Sequence, residues 1–99
     1  MTTSKHYLNE RGARQDAINA LGEGEPVRSF EWAYNGEKQR HTLTSTGIII
    51  VYNPAGKLIT KLIARPGQIN RYYKAIGEKP PRELMKLAGQ HEAEGLNFR

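Results

Sequence analysis

The chain has 99 residues, of which 37% are hydrophobic, so its length and composition favour one domain with a modest core and exclude a fully disordered chain. The formal net charge is +5, and the longest strongly apolar run, residues 48–52, is far too short for a membrane-spanning helix, so we expect no membrane partner. The absence of cysteine excludes disulfides and thiolate chemistry and, with no secretory leader pattern, favours a cytoplasmic protein.

The N-terminal segment predicts two helices. Hydroxyl side chains at positions 2–4 are typical helix caps, and they precede a short first helix over 5–11 that Gly12 ends or kinks. Apolar residues at helical spacing between Ala13 and Leu21 predict a second helix over 13–21, which the glycines and proline of 22–26 end. If Gly12 is accommodated inside a helix, the two merge into one longer helix.

The middle of the chain changes to a two-residue period, which predicts strands. A first strand over 27–34 leads into Asn35-Gly36, the strongest hairpin signal of the chain, and a second strand runs back through 39 to 45. The β-branched run 48–52 carries apolar residues for both faces, as a central strand does. Residues 53–56 are typical of a type I turn with Gly56 in the left-handed position, and a fourth strand follows over 57–64. The sequence therefore predicts a four-stranded antiparallel meander.

Two further helices are predicted after the sheet. Helical spacing predicts a buried face made of Ile69, Tyr72, Tyr73 and Ile76, and Pro80-Pro81 ends that helix. Leu84, Leu87, Ala88 and His91 repeat the spacing on a last helix, where His91 is interpreted as a surface residue. The predicted class is α+β, with an N-terminal helical pair, the meander, two C-terminal helices, and helices packed on one face of the sheet.

All of the net positive charge lies in the second half of the chain. Between Lys57 and Lys86, two acidic residues are outnumbered by eight basic ones: Lys57, Lys61, Arg65, Arg71, Lys74, Lys79, Arg82 and Lys86. These cations are interleaved with Tyr72 and Tyr73, and basic side chains among aromatic ones are typical of nucleic-acid binding. The sequence thus predicts RNA or another nucleic acid as partner; the alternative is an ordinary solvated basic surface.

The residue inventory disfavours metal and nucleotide chemistry. The chain has a single aspartate, scattered glutamates, no histidines at i, i+4 and no glycine-rich phosphate loop, so neither a metal site nor a cofactor is expected. RNA can be cut without a metal when one group takes the proton of the ribose 2′-OH, another protonates the leaving 5′ oxygen, and cations stabilise the phosphate. Histidine, tyrosine, threonine and basic side chains suit that reaction.

Four residues are candidates for such a site. His6 lies on the first predicted helix, five positions before Arg11. If the turn at 53–56 is correct, Tyr52 pairs with Leu58, and Thr60 points to the same sheet face as both. Three of them also have a structural interpretation: an exposed helical histidine for His6, an ordinary strand residue for Thr60 and a core residue for Tyr52.

Three segments carry a resemblance to a known group: "SKHYLNERG", "QDAINALGEGEPV" and "GIIIVYNPAGKLITKLI". They resemble the small toxin-type ribonuclease domains of the barnase/EndoU/colicin/RelE group, over a core of about 4–64, with a basic helical tail over about 68–96 outside the likeness. The resemblance implies a helical pair before a four-stranded sheet, an antitoxin or immunity protein as partner, and site residues at His6, at Arg11 or Arg14, and at Thr60. Relatives usually place more residues between the histidine and the arginine.

The leading hypothesis is a metal-independent endoribonuclease of the toxin type. His6 would serve as general acid or base, Arg11 or a cation of the fourth strand (Lys61, Arg65) would hold the phosphate, and Thr60 or Tyr52 would orient it. The alternatives are a non-catalytic nucleic-acid-binding module of phage or plasmid type, and a small protein-interaction or inhibitor domain whose basic tail meets an acidic partner.

Overall fold

The computed structural model describes residues 12–97, which form three helices and four strands. In chain order they are α1 (Ala13–Leu21), β1 (Pro26–Tyr34), β2 (Glu37–Thr44), β3 (Ile48–Tyr52), β4 (Leu58–Ile63), α2 (Pro66–Ala75) and α3 (Arg82–Ala93). The α+β class and the four-stranded antiparallel sheet are confirmed. Of the predicted helical pair, α1 matches the second member, and the first lies outside the described residues. None of the described helices is long and apolar enough to cross a membrane.

Short turns order the strands β1-β2-β3-β4, each antiparallel to the next. Asn35 and Gly36 have φ values of 51° and 78°, the left-handed backbone that a two-residue hairpin of this kind requires, and Tyr34 pairs with Glu37 across the turn. In the β3–β4 turn, the backbone N–H of Gly56 donates to the carbonyl oxygen of Asn53 at 2.9 Å. Both predicted hairpins are therefore confirmed.

Helices cover both faces of the sheet, so the prediction that they pack on one face is wrong. Helix α1 buries Ile18 against Ile48, Ile50 and Ile63; we call this side the α1 face. Helices α2 and α3 pack on the opposite side, the α2–α3 face, against Phe30, Leu43, Ile49 and Val51. Because β3 presents buried residues alternately to both sides, both faces must be covered to remove this apolar surface from water.

Helix α2 begins earlier than predicted. Pro66 occupies its first position, where a missing N–H costs nothing, and the side-chain carbonyl of Gln68 accepts a hydrogen bond from the backbone N–H of Arg65 at 3.0 Å. Ile69, Tyr72 and Tyr73 are buried as predicted. Ile76 is 39% exposed, against prediction, because the helix ends at Ala75 and the chain turns away.

The two C-terminal helices supply half of the larger core. Ile69, Tyr72 and Tyr73 of α2 and Leu84 and Ala88 of α3 belong to the same buried cluster as the strand residues of the α2–α3 face. The helices of the segment 68–96 therefore share one core with the sheet.

The β2–β3 turn is held beneath α3. His91 is 4% exposed, so its interpretation as a surface residue is wrong, and its Nε2–H donates to the carbonyl oxygen of Thr46 at 3.0 Å. The hydroxyl of Thr46 in turn lies 2.7 Å from the carbonyl oxygen of Gly22, at the end of α1. One turn thus connects α1, the sheet and α3.

Candidate nucleic-acid interface

The eight predicted cations do not form one surface. Lys61 donates to a carboxylate oxygen of Glu23 at 2.8 Å, on the α1 face. The guanidinium of Arg65 lies 3.4 Å from the carboxylate of Glu92 and also donates to the carbonyl oxygen of Asn97, which ties the start of α2 to the end of α3. Lys57 lies in the β3–β4 turn, at the opposite end of β4 from Arg65.

The other five cations lie on the helical layer. We call them the basic helix surface: Arg71 and Lys74 on α2, Lys79 in the loop between the helices, and Arg82 and Lys86 on α3. All five are exposed, whereas the core residues of both helices are buried against the sheet. Because α2 and α3 pack on the same side of the sheet, their exposed sides face solvent together. None of the five forms an ion pair with another residue of the described range 12–97.

The acidic residue nearest this surface in the loop is already paired. Glu78 forms an ion pair with Arg28 of β1, which fastens the α2–α3 loop to the sheet. Tyr73 lies beside that pair: burial raises the pKa of its hydroxyl, the positive charge of Arg28 lowers it, and the negative charge of Glu78 raises it. The loop also borders a cavity of about 500 Å³ whose wall includes Asn70, Lys74 and Lys79. The carboxylate of Glu78 lines the same cavity and is paired with Arg28, so the groups there that suit phosphate oxygens are the two ammonium groups and the amide.

The aromatic residues between the cations are not part of the surface. Tyr72 and Tyr73 are 6% and 4% exposed. The ring of Tyr72 stacks on Phe30 with centroids 4.9 Å apart and meets Trp32 edge-on at 4.7 Å. Both tyrosines are core residues, as the helical spacing predicts, and no base can reach rings that are packed against β1. The basic helix surface therefore offers charge and hydrogen bonds without stacking.

A buried polar pair beneath the surface was missed by sequence patterns. Nδ1 of His41 lies 2.5 Å from the hydroxyl of Tyr72, and Nε2 lies 2.9 Å from the side-chain oxygen of Gln39. Burial lowers the pKa of His41, which favours the neutral imidazole. Its Nε2–H donates a hydrogen bond to the side-chain oxygen of Gln39, and its Nδ1 accepts a hydrogen bond from the hydroxyl of Tyr72. Burial also raises the pKa of Tyr72 to about 12, with Arg71 acting in the opposite direction. This pair joins α2 to the sheet and does not reach the solvent side.

Of the four predicted catalytic residues, the structure describes Tyr52 and Thr60, and these two lie on different faces of the sheet. His6 and Arg11 lie outside the described residues. Tyr52 pairs with Leu58 as predicted. The register shifts between Val51 and Tyr52, so Thr60 pairs with Val51, the residue next to Tyr52. Cross-strand partners share a face, so Thr60 belongs with Val51 on the α2–α3 face, whereas Tyr52 packs on the α1 face. The predicted shared face of Tyr52 and Thr60 is therefore wrong.

One cavity does bring several predicted residues together. It has a volume of about 650 Å³ and lies at the free edge of the sheet, between the start of α1 and β4. Arg14, Thr60 and Lys61 line it, and the apolar side chains of Leu58 and Ile59 complete its wall with Gly12 and Gln15. The guanidinium of Arg14 and the hydroxyl of Thr60 suit a phosphate group, whereas the ammonium of Lys61 is paired with Glu23. Tyr52 does not line it, and neither histidine nor carboxylate is among the described lining residues.

Comparison with models of protein families, with curated proteins and with solved structures finds no match for this chain. The resemblance to toxin-type ribonucleases therefore remains a prediction from short segments. Within residues 12–97, no group of three or more histidine, aspartate or glutamate side chains is placed where it could hold a metal ion. The basic helix surface and the cavity at the β4 edge are two places where the described residues suit an anionic ligand.

Proposed function

We propose that this protein binds nucleic acid through the basic helix surface. The observation that carries the proposal is the common exposure of Arg71, Lys74, Lys79, Arg82 and Lys86 on one helical layer, without ion pairs to other described residues. Cations placed against phosphates release condensed counterions, and this term supplies most of sequence-independent nucleic-acid affinity. Cations already engaged by carboxylates would contribute much less.

The fold holds these cations in position. The core residues Ile69 and Tyr72 fix α2, and Leu84 and Ala88 fix α3, so the backbone beneath the surface is already ordered before any ligand arrives. Only the side chains lose freedom on binding, and each rotamer-rich side chain costs about 0.5–1.5 kcal/mol. A preordered surface keeps more of the electrostatic gain as affinity.

The first test reverses two of these charges. We expect Arg71→Glu with Lys74→Glu to weaken binding of RNA or DNA at least about tenfold at 100 mM salt, because two phosphate contacts become repulsive. Thermal stability should change little, because both side chains point away from the core of α2. Fluorescence anisotropy with a labelled oligonucleotide and a thermal melt measure the two effects.

A matched control separates position from net charge. Lys74→Glu and Lys38→Glu change the net charge equally, but Lys38 is an exposed residue of β2, away from the helical layer. We expect Lys74→Glu to weaken binding several-fold more than Lys38→Glu. Equal effects would contradict a defined surface, and no binding by the parent protein would favour the protein-interaction alternative.

A second candidate, metal-independent RNA cleavage, is favoured by the cavity at the β4 edge. Arg14 and Thr60 on its wall would hold a phosphate, and Lys61 would do so once it exchanges its ion pair with Glu23 for the phosphate. In the proposed reaction the ribose 2′-OH attacks the phosphorus, the bond to the 5′ oxygen breaks, and a 2′,3′-cyclic phosphate forms. His6 would transfer one of the two protons, with Arg11 on the phosphate.

Cleavage has its own test. We expect the protein to cut RNA in excess EDTA, and His6→Ala to slow cleavage by about 10²-fold, the usual contribution of a positioned acid or base. Thr60→Val keeps the shape and removes the hydroxyl, so it reports whether that group holds the phosphate. Product analysis should show a 2′,3′-cyclic end. Intact RNA after prolonged incubation would contradict cleavage and leave the binding function standing.

A further inference from the structure

The basic helix surface is charged but has no aromatic group to offer a base. Across residues 66–95, the exposed side chains of α2, α3 and their loop include cations, Asn70, Gln90 and glutamates, and no exposed tyrosine, phenylalanine or tryptophan. Both tyrosines of this region are buried against β1. Any nucleic acid on this surface is therefore held by its phosphates.

Single-stranded and double-stranded nucleic acids differ in how favourably they bind to such a surface. Single strands are flexible, and their binding proteins recover the ordering cost by stacking bases on aromatic side chains. A duplex is already ordered, its bases are already stacked, and its two backbones give about one negative charge per 1.7 Å of axis. A surface that offers cations alone therefore binds a duplex more favourably than a single strand, because the duplex is stiffer and its phosphates are more closely spaced.

We propose that the ligand of the basic helix surface is a nucleic-acid duplex, bound by its phosphates and without preference for sequence; this inference rests on the proposed function. The spacing of the cations suits a regular backbone. Arg82 and Lys86 lie one helical turn apart on α3, about 6 Å along its axis, and Arg71 and Lys74 form a similar pair on α2. Lys74 and Lys79 lie on the wall of the same cavity between the helices, together with Glu78, whose carboxylate is paired with Arg28.

The contacts available to this surface also set its selectivity. Base-edge recognition needs side chains that reach into a groove, and bidentate arginine or amide contacts at defined positions. Here Arg71 and Arg82 are exposed on the outer side of α2 and α3, and the inner side of both helices packs against the sheet. Phosphate contacts position a protein on a duplex but carry no sequence information.

The test compares duplex and single strand with the full-length protein. A labelled 20-bp DNA duplex, an RNA duplex of the same sequence and a 20-nucleotide oligo-dT are titrated by fluorescence anisotropy between 50 and 200 mM salt. We expect either duplex to bind at least about tenfold tighter than oligo-dT, and the DNA and RNA arms to distinguish B-form from A-form preference. A second duplex of unrelated sequence should bind within about twofold of the first.

A variant tests the number of phosphates contacted. On duplex DNA, Arg82→Gln with Lys86→Gln should make the negative slope of log K against log salt shallower by about 1.8, since each phosphate neutralised contributes about 0.9. Equal or tighter binding of oligo-dT, or an unchanged slope in this variant, would overturn the duplex inference while leaving nucleic-acid binding intact. No binding to any of the three ligands would overturn the proposed function itself.

Discussion

At the scale of single residues, the pairing of His41 with Tyr72 shows how a polar group is tolerated in the core. The imidazole is 8% exposed, and both of its nitrogens have partners, the Tyr72 hydroxyl and the Gln39 amide oxygen. An unpartnered buried donor or acceptor costs about 1–3 kcal/mol, so these two bonds are what allow a histidine between Trp32 and α2.

This pair predicts a loss of stability in mild acid. Because burial holds the pKa of folded His41 below its ordinary value of 6.5, the unfolded chain takes up the proton first as the pH falls. The contribution of His41 to the free energy of unfolding is complete above pH 6.5 and decreases below it. We expect the Tm to fall between pH 7.5 and pH 5.5, and to fall less in His41→Gln, as measured by thermal melts of both proteins. Parallel pH profiles would contradict a buried neutral imidazole.

At the scale of elements, the β2–β3 turn connects parts of the chain that are distant in sequence. Gly47 has a φ of +84°, and a Cβ built on it would lie 3.3 Å from Cδ2 of His91 on α3. The carbonyl oxygen of Gly47 also accepts a hydrogen bond from the backbone N–H of Ala64 at 2.8 Å. A glycine is required here for two reasons: the backbone is left-handed, and α3 approaches closely.

Gly47→Ala should therefore destabilise the protein more than a glycine substitution that strains the backbone alone. Gly56 is a matched control, because its φ is +85° and no atom lies within 4 Å of the position its Cβ would take. We expect Gly56→Ala to cost about 1–2 kcal/mol from the left-handed backbone, and Gly47→Ala to cost more because α3 must shift. Urea denaturation of both variants measures the difference, and equal losses would show that α3 does not press on the turn.

At the scale of the whole molecule, the sheet depends on helices from both ends of the chain. Among residues 12–97, the helical residues that cover its α2–α3 face all follow the last strand, including Ile69, Tyr72 and Leu84. A sheet with one uncovered apolar face exposes a large hydrophobic surface to water, which costs about 25 cal/mol per Å².

A fragment of residues 1–64 should therefore fail to fold, although it contains every strand. We expect no cooperative thermal transition by circular dichroism and strong binding of a hydrophobic dye, in contrast to the full chain. Adding a peptide of residues 65–99 should restore a cooperative transition. Cooperative melting of the fragment alone would contradict the need for α2 and α3.

Much of the architecture followed from local patterns. The strand bounds, both hairpins and the buried side of α2 were predictable because turn residues such as Asn35-Gly36 and the two-residue and helical periods act over a few positions. The start of α2 was not predictable, because Pro66 suits a turn and a first helical position equally well. The exposure of Ile76 was not predictable either, because helical spacing does not show that the helix ends at Ala75.

The sequence by itself determined the α+β class, the order of the meander and the excess of positive charge in the second half of the chain, since these depend on composition and short-range spacing. Only the tertiary structure decided which charges act together: Lys61 and Arg65 are engaged by carboxylates distant in sequence, while five others share one helical layer. It also decided that a register shift separates Thr60 from Tyr52. The physical reason is that the contacts of a side chain depend on how helices and strands pack together. Local periodicity indicates which face of a helix or strand is buried, but not which other element packs against that face.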